Sequence, residues 1–146
     1  MRTGLLLAPV LLTVASGALA GPFLSIADNA ILMYDAPSLK ANKIFVATKF
    51  YPVEVIVQVD AWIKVRDAAG DLAWVEKKSL SDMRMVVVTV ESAAVRQRAE
   101  EGAPLVFQAR QGLALEIAEL GAAPWVKVRH SDGQTGFVRA NQVWGL

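Results

Sequence analysis

The stretch WIKVRDAAGDLAWVEKKSL, Trp62–Leu80, returns as WVKVRHSDGQTGFVRANQV, Trp125–Val143. A displacement of 63 residues aligns Trp62 with Trp125, Lys64 with Lys127, Val65 with Val128, Arg66 with Arg129, Gly70 with Gly133, Trp74 with Phe137 and Val75 with Val138. Upstream, a displacement of 62 aligns Phe45 with Phe107 and Ala47 with Ala109, so one residue has entered within Glu119–Pro124. A phrase that occurs twice at this spacing describes two small units and not a solenoid. In the turn between the two repeated strands, only the glycine is kept.

Within each unit the period is two, which marks half-buried strands. In Val53–Val59 the valines at 53, 55, 57 and 59 are predicted to face inward, with Glu54, Ile56 and Gln58 outward. Leu113, Leu115 and Ile117 repeat this inward set. WIKVR and LAWVE form a hairpin around Gly70, which takes a positive φ at little cost, and Gly133 serves the second copy. Centring that hairpin on Ala69 sets Val65 opposite Ala73 and Ile63 opposite Val75 on the core side. Its copy sets Val128 opposite Gly136 and Val126 opposite Val138, a small residue standing where the sheet bends. No stretch after residue 20 reads as a long amphipathic helix; Glu91–Ala103 comes nearest. The expectation is all-β: two tandem small barrels over residues 24–82 and 85–146. A unit of about 60 residues buries only about 60% of its unfolded surface, so one alone is marginal. The join Ser81–Met85 lacks Gly and Pro, and a fixed pair is expected. Trp144, which aligns with Ser81, is expected either to plug the junction or to cap its own barrel.

Residues 1–20 read as a secretory signal peptide: Arg2, the apolar run Leu5–Val14, and the cleavage signature Ala18–Ala20. That run is shorter than the roughly 20 helical residues that cross a bilayer. The expected location is periplasmic or secreted. With no cysteine, the chain offers no lipid-modified cysteine anchor, disulfide, thiol nucleophile or thiolate metal site. Loss of Arg2 with the leader leaves 14 basic side chains against 14 acidic, which argues against a nucleic-acid binder.

An irregular arm containing VR, a strand like LEI, then W-x-K-V-R-x-x-x-G-x-x-G-[WF]-V and a short apolar strand resembles the bacterial SH3 (SH3b) domain family. Val95–Val143 follows the pattern closely. The first unit departs from it: Phe50 stands in place of the glycine seen at Gly112, Ala73 in place of Gly136, and its arm reads MYDAPSL. The resemblance implies two SH3-like barrels and a wall-targeting role, since similar domains commonly accompany cell-wall hydrolases.

Opposite the core side, the hairpins carry an aromatic pair flanked by two cations: Trp62, Trp74, Lys64 and Arg66, and again Trp125, Phe137, Lys127 and Arg129. In one reading these, with Tyr34 and Tyr51, line a groove for an extended peptide or glycan, the cations meeting carboxylates. In the other, the rings pack under the arm or in the seam and the cation stems cover them. Catalysis finds little support. His130, the single histidine, shares one turn with Ser131 and Asp132, where a nucleophile relay cannot converge. No zinc set or phosphate loop is present, so no cofactor is expected. The expected function is a non-catalytic module for peptidoglycan or its peptides. The alternative is a periplasmic adaptor that accepts a partner strand at Met85–Val90 or Val53–Val59.

Overall fold

The computed structural model describes residues 21–121 and 123–146, so the expected leader lies outside it. Alternating apolar residues and turn-forming glycines give two seven-stranded antiparallel sheets, with no α-helix among the described residues. The first comprises β1 (Phe23–Ile26), β2 (Ile31–Tyr34), β3 (Lys43–Ala47), β4 (Pro52–Val59), β5 (Trp62–Arg66), β6 (Leu72–Glu76) and β7 (Leu80–Ser81), in the order β3-β2-β6-β5-β4-β1-β7. The second comprises β8 (Met85–Val88), β9 (Ser92–Arg96), β10 (Leu105–Arg110), β11 (Ala114–Glu119), β12 (Trp125–Arg129), β13 (Thr135–Arg139) and β14 (Val143–Trp144). Its order, β10-β9-β13-β12-β11-β8-β14, is the same.

Each sheet folds around its own core. Ile26, Met33, Val53, Ile63, Val65 and Val75 fill the first. Val88, Val95, Leu115, Val126, Val128 and Val138 fill the same places in the second. The hairpin register is the expected one in both copies: Val65 faces Ala73 and Val128 faces Gly136. A Cβ on Gly136 would lie 2.6 Å from Val95 Cγ1 and 2.8 Å from the Arg96 carbonyl oxygen. In the first unit Met33 replaces Val95, and an unbranched Cβ leaves room for the methyl of Ala73.

Two expectations fail. The alternation of Val53–Val59 is broken by a bulge: Val55 faces Val65, but Val57 faces Lys64 and Val59 faces Trp62. The extra residue reverses the pattern, so Val57 and Val59 emerge on the outer side, each 44% exposed. Nor is Met85–Val90 an edge, and Val53–Val59 is covered where β1 pairs with it, over Pro52–Glu54. β4 lies between β5 and β1, and β8 between β11 and β14. The true edges are β3 and β7 in the first sheet, β10 and β14 in the second.

The arms differ in sequence but not in backbone. The Asp35 N–H donates to the Asn42 carbonyl and Ala41 to Ser38; Gln97 to Pro104 and Ala103 to Glu100 repeat these bonds. The hairpin turns also share a backbone and tie it differently. Asp67 Oδ1 accepts from the N–H groups of Ala69 and Asp71, both at 2.9 Å. In the copy the two bonds are divided: His130 Nδ1 accepts from the Asp132 N–H at 3.2 Å, and Asp132 Oδ1 accepts from the Gln134 N–H at 2.9 Å. Those Gln134 contacts, backbone first, hold the Asp132 carboxyl below its ordinary range. Gly70 and Gly133 are kept because both sit near φ +95°, at +94° and +95°.

The units meet along a seam. Trp144 sets its ring edge-on to Phe23 at 5.0 Å, so it plugs the junction. Ser25 Oγ donates to the Met83 carbonyl at 2.8 Å, and Arg84 Nη2 to that of Gly145 at 3.0 Å. Phe50 holds a left-handed φ of 73° and faces Met83, Met85 and Ala114 across a small cavity.

Candidate functional site

Because side chains alternate along a strand, the residues between the core positions of β5 and β6 share the outer side. Lys64 stands opposite Trp74, and Trp62 opposite Glu76. Tyr34, next to core Met33 on β2, pairs with Trp74. Its ring meets Trp62 edge-on at 5.4 Å and is itself buried. Lys64 Nζ lies 6.0 Å from the Trp74 centroid. Among the described residues no carboxylate is ion-paired with Lys64. Trp62 and Trp74 are half-buried, and Val57 and Val59 beside them extend the apolar surface. The structure therefore assembles Tyr34, Trp62, Trp74 and Lys64 into one outer face.

Arg66 and Tyr51 do not join as expected. Arg66 Nη1 lies 3.3 Å from Glu54 Oε2, and the buried Glu54 also accepts the Gly21 N–H at 2.9 Å. This cation, exposed itself, already has the buried Glu54 as its carboxylate partner. Arg129 repeats the arrangement with Glu116 at 3.2 Å. Tyr51 packs against the first core and faces the seam. Burial raises the pKa of its phenol and the Asp67 charge adds to this, while the Ala68 N–H acts in the opposite direction.

In the second unit the tryptophan is covered. Trp125 is 8% exposed, with the Arg139 guanidinium 5.0 Å above its ring. Glu101 of the arm pairs with Arg139 and holds that cover in place. Arg96 stands at the place of Tyr34 and donates to the Ala103 carbonyl at 2.9 Å. Phe137 carries Lys127 Nζ at 5.9 Å, as Trp74 carries Lys64. Glu119 stands opposite Lys127, where the first unit has Val57 opposite Lys64. His130 sets its ring edge-on to Phe107 at 5.4 Å. Among the described residues, no group of three or more His, Asp or Glu side chains forms a metal site.

Sequence reasoning missed Val57 and Val59, since a bulge in β4 leaves no mark on an unbroken valine alternation. It also missed Glu54 and Glu116 as the partners of the arginines. Their recurrence at equivalent positions of the two units was the available signal.

The bacterial SH3 domain family matches the chain twice, over residues 27–82 and 89–145. The structure of NlpC1 from Trichomonas vaginalis is similar at a TM-score of 0.43 and 13% identity, covering 94% of this chain and 50% of that one. For NlpC2 from Trichomonas vaginalis the values are 0.39 and 12%, covering 84% and 47%. This chain thus spans about half the length of either, and at such scores the likeness assigns no residue a role. No match was found among curated proteins.

Proposed function

The chain belongs to the bacterial SH3 domain family, and from that premise we propose that it is an exported, non-catalytic module that binds peptides of cell-wall peptidoglycan through its first unit. One observation carries the reading. The first unit keeps two tryptophans and an unpaired ammonium on an outer face, and the second covers its tryptophan with an arm-tethered arginine. Partly exposed aromatic rings anchor extended ligands with large contact area and few rotors to freeze. Lys64 is placed to meet a stem-peptide carboxylate. The test is cosedimentation of residues 21–146 with purified sacculi. Binding lost in folded Trp62→Ala and Trp74→Ala, and reduced by soluble stem peptides, supports the proposal; sedimentation unchanged in both variants removes it.

A second reading, a protein adaptor, is favoured by the β3 edge. Ile44, Phe45 and Val46 are 39%, 39% and 65% exposed there. Such an edge accepts a partner strand by backbone pairing. A glutamate at Val46 then breaks a complex with a protein and leaves sacculus binding intact.

A further inference from the structure

We propose that the seam between the two units contains a second binding site, separate from the tryptophan face, for the primary ammonium group of a small ligand. A cavity of about 340 Å³ opens beside β2 and β3, lined by Met33, Phe45, Tyr51 and Asp67 and closed from the second unit by Gly112. A neighbouring one of about 290 Å³ shares Tyr51 and Gly112. Small-ligand pockets start at roughly this size and combine an apolar lining with a few placed polar groups. Met33 and Tyr34 alternate along β2, so this site and the Trp62 face lie on opposite sides of that strand.

The charge pattern names the ligand. Asp67 is the one carboxylate lining either cavity, and no lysine or arginine lines them. Its Oδ1 is held by the Ala69 and Asp71 N–H groups. Among the described residues no cation pairs with it. Lys49, adjacent to lining residue Thr48, turns onto the Phe50 ring at 5.1 Å, towards the other side of the seam. Phe45 and Tyr51 border the same space, and aromatic rings beside a carboxylate favour an organic ammonium over a hydrated anion.

The second unit shows what closes such a site. Phe107 is the copy of Phe45 and His130 the copy of Asp67; there the two rings meet at 5.4 Å. There His130 Nδ1 keeps the Asp132 N–H and Asp132 Oδ1 takes the Gln134 N–H, so position 130 presents a ring to Phe107 in place of a carboxylate. In the first unit the tying group stayed at position 67, a carboxylate remains beside the aromatic ring, and the space is open.

The probe is cadaverine, with 1-pentanol as its neutral counterpart, titrated into the isotopically labelled protein and followed by amide shifts. Saturable shifts at Tyr51, Ala69 and Gly112 are expected, with 1-pentanol at least about fivefold weaker because it lacks the charge. Asp67→Asn keeps the turn acceptor and should weaken cadaverine about tenfold. Asp67→His/Ala69→Asp imports the second unit's turn and should abolish binding. Trp62→Ala should leave it unchanged, so failure of this site and failure of the tryptophan face are separable. The inference is overturned if cadaverine causes no saturable shift, if 1-pentanol binds as well, or if folded Asp67→Asn binds as the native protein does.

Discussion

At equivalent positions on their outer sides, the first unit carries Tyr34, Val57 and Trp62, and the second Arg96, Glu119 and Trp125. The sheets beneath have the same strand order, register and turn backbone. In the second unit, Arg139 and the arm glutamate form a polar cover over a buried tryptophan, much as a small domain protects its core. In the first unit, Tyr34 supports Trp62 from the side and no guanidinium lies over it among the described residues. One copy has therefore spent its outer tryptophan on stability while the other leaves it available for contact.

Several substitutions would break or sharpen this contrast. After the loss of Trp125 itself, the largest effect is expected at Gly136→Ala, where the added methyl meets the Arg96 carbonyl and Val95; overpacking of this kind costs roughly 1–3 kcal/mol in denaturant unfolding. Ala73→Gly, the reverse change in the first unit, should cost only about 1 kcal/mol through chain entropy and a lost methyl. Next comes the ion pair of the buried Glu54 with Arg66. Glu54→Gln leaves Arg66 without its charge partner and should cost roughly 1–2 kcal/mol. Glu116→Gln, in the more exposed copy, should cost under about 1 kcal/mol. Gly112→Ala places a side chain at φ +86° with open space around it, so about 1 kcal/mol of backbone strain is the whole expected loss. The smallest effect lies at Tyr51, whose copy is Leu113. A raised phenol pKa means the folded state favours the neutral form. Stability from that source is full below about pH 10 and is lost as pH rises through the folded value. Tyr51→Phe should flatten the alkaline limb of the unfolding curve, and tyrosinate absorbance during titration checks it.

The fold was legible because the sequence states it twice. Aligning the copies gave the hairpin register residue for residue, Val65 to Ala73 and Val128 to Gly136, since the small residue marks the bend. Parity along β4 was not legible: four alternating valines read as one face, and only the pairing with β5 reveals the bulge that turns Val57 and Val59 outward. The edges were misplaced for a related reason. Strong β-forming composition at Met85–Val90 marks a buried central strand as readily as an edge. On the candidate face, residue types identified Trp62, Trp74, Tyr34 and Lys64. The state of each ring depends on a contact from a distant arm, Glu101 to Arg139, whose alignment partners Leu39 and Glu76 cannot form it. Long-range charge pairs of this kind leave no local periodicity to read.

The most direct measurement is a paired one: unfolding free energy and sacculus affinity for Trp62→Ala and Trp125→Ala beside the native protein. Trp125→Ala should lose about 3 kcal/mol or more of stability, as for a buried aromatic, and keep its affinity under conditions where it remains folded. Trp62→Ala should lose less stability and most of its binding. Equal losses of binding in the two variants, or binding that follows Trp125 and not Trp62, would contradict the account.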